Sequence, residues 1–306
     1  MPFHPSGEQV ELRLGDAVAT VVEVGGGLRT YSADGRDILD GYAADEMASA
    51  GRGQVLLPWP NRVEDGRWSW EGNELQLGLT EVKRNNATHG LVRWSGWQLT
   101  REDESAAVAR FVLHPQTGYP FRLAAELRYR LTDTGLVVEV RVENRTDSPA
   151  PVGLGFHPYL AAGGPVDECS LTVPAARWLE VDDRGLPVAE HGVEEPASDG
   201  ADYDFRAART IGAQLLDTPY TDLSRNDGLA RVVLDGPAGR TTLWADDTFG
   251  YLQVFTGDTV PQTERRRRGL AVEPMTCPAN ALKTGQGLVV LEPGEALTGS
   301  WGISPG

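Results

Sequence analysis

Two residues of this chain have the types that together could move a proton: His157, in Gly155-Phe156-His157-Pro158-Tyr159, and Glu273, in Val272-Glu273-Pro274-Met275-Thr276. A histidine and a carboxylate are the pair an enzyme uses to take a proton at one atom and return it at another. Both stand in apolar, proline-bracketed settings rather than on charged faces. Gly153 and Gly155 permit close approach of another group to His157, and Pro158 removes a backbone donor beside it. Glu273 closes the run Leu270-Ala271-Val272, which makes it either a strand-end surface residue or a buried base whose pKa burial would raise. Pro274 is expected to break the strand at that point. The bland reading of His157 is a hydrogen-bonded core histidine.

Other residues could hold a ligand for that pair. Thr88-His89-Gly90 follows Asn85-Asn86-Ala87 in a loop-like stretch, where functional residues concentrate. Leu57-Pro58-Trp59-Pro60-Asn61-Arg62 sets an indole beside an amide and a guanidinium. A polyhydroxylated ligand needs such a set, with a ring face for its C–H patches and donors for its hydroxyls; the alternative for Trp59 alone is a packed turn. Asp217, closing Leu215-Leu216, could accept from ligand hydroxyls or cap a turn. Arg265, Arg266, Arg267 and Arg268 read as a solvated hairpin tip rather than an anion site.

The elements that must position these residues are strands. Leu123, Ala125, Leu127, Tyr129 and Leu131 alternate with polar residues. After Thr132-Asp133-Thr134-Gly135, the pattern resumes in Val138, Val140 and Val142, the mark of a long hairpin with one buried face. Trp68 and Trp70 precede a turn at Glu71-Gly72-Asn73. Leu288 to Leu291 is followed by a Pro293-Gly294 turn and a return from Leu297 to Ile303. No segment keeps a helical period, although a short helix is expected near Ala207 to Ile211. Asp182 to Asp204 is polar and rich in Gly and Pro and reads as a surface loop or a crossing between sheets. The fold class is therefore all-β, with large packed antiparallel sheets, and the 306 residues form one domain, 1–306.

Bulk properties narrow the partners. With 28 basic against 44 acidic residues the net charge is −16, spread along the chain, which disfavours nucleic acid and anionic membrane. The start, Met1-Pro2-Phe3-His4-Pro5, lacks the basic and apolar segments of a signal peptide. No stretch reaches the length of a membrane span. Cys169 and Cys277, the two cysteines, read as small buried hydrophobes in a reducing, cytoplasmic setting. Phosphate loops, dinucleotide fingerprints, zinc motifs and nucleophile elbows are all missing. The five histidines have no metal-ligand spacing, so no metal and no cofactor are expected.

In this order along nearly the whole chain, the motifs resemble the aldose 1-epimerase (galactose mutarotase) family. The resemblance is carried by Gly25-Gly26-Gly27-Leu28, Pro60-Asn61-Arg62-Val63, Thr88-His89-Gly90, Gly155-Phe156-His157-Pro158-Tyr159, Asp217-Thr218-Pro219-Tyr220 and Val272-Glu273. Leu57-Pro58-Trp59-Pro60 and Thr276-Cys277-Pro278-Ala279-Asn280-Ala281 are closer to a bacterial subgroup than to the best-known galactose enzymes. The resemblance implies a large β-sandwich, or supersandwich, and a cytoplasmic isomerase that interconverts the anomers of an aldose, glucose or galactose among them. It implies Glu273 as base and His157 as acid, with His89 beside them. Arg62, Asn61 and Asp217 would bind the sugar, with Asp222 as the alternative aspartate. The implied partner is a small aldose, acted on by a monomer or weak dimer. Two other readings stand beside it: a hexose-6-phosphate epimerase using Arg265 to Arg268, and a non-catalytic carbohydrate-binding protein.

Overall fold

The computed structural model describes residues 4–198 and 200–306; the Met1-Pro2-Phe3 start lies outside them. The long hairpin forms as its alternation dictates. Leu123–Thr132 pairs with Gly135–Asn144, Thr132 facing Gly135, so that Leu127, Tyr129, Val138 and Val140 are buried while Arg128 and Arg130 are exposed. This hairpin supplies the third and fourth strands of a nine-stranded antiparallel sheet running from Gln98–Arg101 at one end to Arg209–Thr210 at the other. The C-terminal strand Ala296–Pro305 joins it between Gly135–Asn144 and Gly239–Ala245. The expected return of that strand onto Leu288 to Leu291 is not seen, because Val289–Leu291 pairs with Ala150–Val152 instead.

A second, eight-stranded sheet has the core order Ala175–Val181, Asp217–Leu223, Tyr251–Phe255, Gly269–Met275, with Gly155–Phe156 and Tyr159–Ala161 both on the far side of Gly269–Met275. Residues of the two sheets share one hydrophobic cluster, which includes Leu127, Tyr129 and Val140 from the first and Leu252, Val254 and Val272 from the second. A four-stranded sheet over residues 9–37 packs against the same core. The fold is thus the large antiparallel β architecture expected.

Three local expectations are corrected. The one α-helix among the described residues is Ala281–Thr284, while Arg209–Thr210 is a short strand where a helix was expected. The stretch from Asp182 contains an edge strand, Pro187–Gly192, bonded to Ala175–Val181. Pro274 does not end its strand; Gly269–Met275 runs through it, with Leu252 opposite Pro274. Cys169 and Cys277 are free and buried, as read.

Candidate active site

Strand periodicity places the site. Side chains two residues apart share a face. Along Gly269–Met275, Leu270 and Val272 turn to the main core, while Ala271 and Glu273 turn to the opposite face of the sheet. Gln253 lies directly across from Glu273 on the neighbouring strand, and Phe255 across from Ala271. Asp217 is in turn opposite Phe255. On the other side, Gly155 faces Met275 and Tyr159 faces Ala271, so His157, midway between them, falls opposite Glu273. Register alone therefore assembles His157, Glu273, Gln253 and Asp217 on one face.

The contacts follow. His157 Nε2 stands 3.3 Å from Glu273 Oε1, and both side chains are almost fully buried. The phenol of Tyr159 stacks on the His157 imidazole at 5.2 Å and 11°, and the Arg52 guanidinium lies over the same phenol, 4.2 Å from its centroid. Arg52 is itself buried and paired with Asp40 at 2.7 Å. His89 meets His157 edge to face at 5.5 Å. Gly51, at φ 76°, lies against the imidazole edge; a Cβ there would come within 2.3 Å of His157 Cδ2, so no side chain fits. His157 is thus a fixed group, with its ring plane set by neighbours.

Asn61 and His89 both have left-handed backbone, at φ 55° and 58°, a conformation uncommon outside glycine in which Asn and His are among the residues enriched. The Asn61 N–H donates to His89 Nδ1 at 3.2 Å and the His89 N–H to Asn61 O at 2.7 Å. Because a backbone amide can only donate, Nδ1 of His89 is the acceptor, and its proton is on Nε2. From Asn61 a directed chain runs across the site: Arg62 Nη1 donates to Asn61 Oδ1 (3.1 Å), Asn61 Nδ2 to Gln253 Oε1 (3.3 Å), and Gln253 Nε2 to Asp217 Oδ1 (2.7 Å).

Arg62, Asn61, His89, His157 and Asp217 line one cleft of about 980 Å³, with Tyr159, Phe255 and Arg93. Glu273 is not itself among the residues lining the cleft; it meets the lining through His157, with 4% of its side chain exposed. Asp222, the alternative to Asp217, is outside the lining. Trp59 is 2% exposed and belongs to the main core, so it offers no ring face to a ligand.

Burial sets the charge states. Glu273 is pushed well above the usual carboxylate range, by desolvation first and by the Asp217 charge second; Arg62 opposes this. Its Oε2 has no hydrogen-bond partner among the described residues. Burial pushes the His157 pKa down to about 3, helped by the Arg93 and Arg52 charges. His89 is held well below its ordinary value by desolvation, then by Arg93 and His157. Both imidazoles are therefore neutral near pH 7.

The arginine run departs from its expectation. Arg267 is not solvated: it is bonded to Asp167 (3.0 Å) and Asp258 (2.6 Å) and to two carbonyls. Arg265 donates to Gly41 O and Glu46. Arg265 and Arg268 face a different cavity, with Arg36. Sequence reasoning missed Gln253, Arg93, Glu81 and Arg52. Only Gln253 leaves a signal, as the lone polar residue in Tyr251–Phe255.

Residues 8–304 match the sequence model of a family described as aldose 1-epimerase. The uncharacterised protein YihR of Escherichia coli (strain K12) is 36% identical over 297 residues, covering 96% of this chain and 92% of that protein. The aldose 1-epimerase of the same organism is 26% identical over 236 residues, 72% of this chain and 66% of that one. Among solved structures, a GalM/aldose epimerase homologue from C. elegans superimposes with a TM-score of 0.85 at 18% identity, covering 98% of both chains, which speaks for the fold.

Proposed function

The chain belongs to the aldose 1-epimerase family, and from that premise we propose that it interconverts the α and β anomers of a free aldohexose. The observation that carries the reading is the buried 3.3 Å contact of His157 Nε2 with Glu273 Oε1, set in a cleft walled by hydroxyl-binding groups. Glu273 takes the proton of the anomeric hydroxyl and His157 protonates the ring oxygen. The C1–O5 bond opens and C1 becomes an aldehyde carbon. Rotation about C1–C2 presents the other face of the aldehyde, and the two transfers run backwards on closure, as microscopic reversibility requires.

The charge states refine this scheme. The pair carries one proton, which sits on His157 before ring opening and on Glu273 after it. Raised Glu273 and lowered His157 place that proton on Glu273 in the free enzyme, the state suited to closing the open-chain aldehyde. Opening begins when the proton crosses to His157 over the 3.3 Å contact. Two macroscopic titrations belong to the pair, not to its members. Around it, neutral His89 offers an Nε2–H donor and Arg62 a charged one, steadying oxygen charge as it develops. Asp217 keeps Oδ2 for sugar hydroxyls, since Oδ1 is taken by Gln253.

The phosphosugar reading loses its candidate site, because Arg265 and Arg268 line a cavity other than this cleft. A reducing, cytoplasmic setting suits the two free cysteines. The test is exchange-NMR measurement of anomer interconversion on a panel of free aldoses and their 6-phosphates. Catalysis confined to the phosphates would replace the free-sugar reading.

A further inference from the structure

The guanidinium of Arg62 is largely committed to the protein before any sugar arrives. Its Nε and Nη2 donate to the two oxygens of Glu81 at 2.9 and 3.3 Å, and Nη1 donates to Asn61. A guanidinium has five N–H groups in a rigid fork, so three bonds fix its plane and leave two donors for a ligand. Glu81 is oriented in turn. Its Oε2 also accepts from Asn86 Nδ2 at 3.0 Å, and Asn86 is fully buried. Burial alone would raise the Glu81 pKa, but the bonds from Arg62 and Asn86 outweigh it and hold it low.

A turn at the edge of the eight-stranded sheet completes the clamp. Asp182 Oδ1 accepts from the N–H groups of Arg184 and Leu186, closing the turn between Ala175–Val181 and Pro187–Gly192. Arg184 is tied down to the Arg62 side of the molecule: its carbonyl accepts from Asn86 Nδ2 (2.9 Å), and its Nη2 donates to Asp65 Oδ1 (2.8 Å) and Asn86 Oδ1 (3.1 Å). These bonds press Gly185 onto Arg62. At φ 74°, with a Cβ position only 2.6 Å from Arg62 Nη1, the residue must be glycine for the guanidinium to lie where it does.

We infer that Glu81 and the Arg184–Gly185 turn are positioning residues: they fix the Arg62 guanidinium and, through the directed chain Arg62–Asn61–Gln253–Asp217, the donors and acceptors that receive the sugar's hydroxyls. The inference rests on the proposed epimerase activity for its kinetic consequence, but not for its geometry. An ion pair that served only stability would leave sugar handling untouched. A positioning pair acts through Arg62 and stops mattering once Arg62 is gone.

Two measurements decide it. In the first, Glu81→Gln and Gly185→Ala each raise KM about tenfold or more, the scale of one charged hydrogen bond, with kcat much less affected. Glu81→Asp, which restores the charge, recovers part of the loss. In an Arg62→Ala background, Glu81→Gln adds nothing further, which a double-mutant cycle reads directly. Additive losses, or a lowered Tm with unchanged KM, overturn the inference. In the second, needing no sugar, the ¹⁵N-NMR signal of the Arg62 Nε–H, assigned by its loss in Arg62→Lys, exchanges slowly in the wild type. It becomes exchange-broadened in Glu81→Gln and shifted in Gly185→Ala. If no aldose is turned over, the epimerase reading fails while this signal still decides the positioning claim; a signal unchanged in both variants refutes it.

Discussion

Glu273→Gln separates the charge account from a merely steric one. In the unfolded chain the carboxyl titrates near 4.5, while burial in the folded protein raises it well above that. Between those two values the native state holds a proton that the unfolded state has released. A raised pKa therefore contributes stability that is fully present below pH 4.5 and is lost as pH rises through the folded value. The slope for one proton is about 1.4 kcal/mol per pH unit. Gln at this position does not titrate, and His157 is common to both proteins. The difference in unfolding free energy, wild type minus variant, should then fall by roughly 1.4 kcal/mol for each unit from pH 5 upward, or about 3 kcal/mol between pH 5 and 7 if the folded value lies above 7. Urea denaturation of both proteins at half-unit pH steps measures it. A difference that stays flat over that range, with both proteins unfolding in one transition, would refute the assignment of the proton to Glu273.

Three other outcomes are expected. Because the His157–Glu273 pair keeps a single proton between a lower titration at about pH 3 and an upper one raised well above the usual carboxylate range, kcat/KM should show no inflection near pH 6.5; an acid limb centred there would mean that the imidazole titrates as an ordinary exposed histidine. Asp217→Ala, which removes a cleft-wall acceptor, should lower kcat/KM ten- to a hundredfold, the scale of one or two charged hydrogen bonds, whereas Asp222→Ala should change it little; the reverse order would show that the wrong aspartate faces the sugar. Arg267→Ser should cost on the order of 1.5–3 kcal/mol of stability because it strands Asp167 and Asp258, while Arg266→Ser and Arg268→Ser should leave urea midpoints nearly unchanged; equal effects at all three would return the run to a solvated tip.

The parts of the fold that were legible share one property, a local pattern. Leu123 to Val142 alternates over two strands with a two-residue turn between them, so one stretch of chain declares both face and partner. The catalytic candidates were legible as residue types in unusual settings, but their meeting was not. His157 opposes Glu273 only because Gly155 and Tyr159 each pair with the same strand, a register that joins distant segments. Pro187–Gly192 escaped notice because an edge strand that exposes half of its residues and buries only Gly192 needs no apolar alternation. Arg267 was misread because its carboxylates come from Asp167 and Asp258, in a separate turn and farther up its own loop. Trp59 has the chemistry of a sugar platform, and only packing reveals that its ring is sunk in the core. Glu81 sits in a charged stretch and Arg93 is a lone charge between Val92 and Trp94, and nothing short of the folded cleft singles them out.

The central claim is that His157 and Glu273 together open and close an aldose ring. Polarimetry of freshly dissolved α-D-glucose and α-D-galactose, with wild-type protein and with His157→Asn at equal concentration, tests it most directly. The wild type should speed the approach to the equilibrium rotation of at least one of the two sugars. His157→Asn, its Tm unchanged, should be slower by about 10²–10⁴, the contribution of a positioned acid or base. Wild-type protein that leaves both rotations at the buffer rate, or a folded variant as fast as the wild type, would contradict the account.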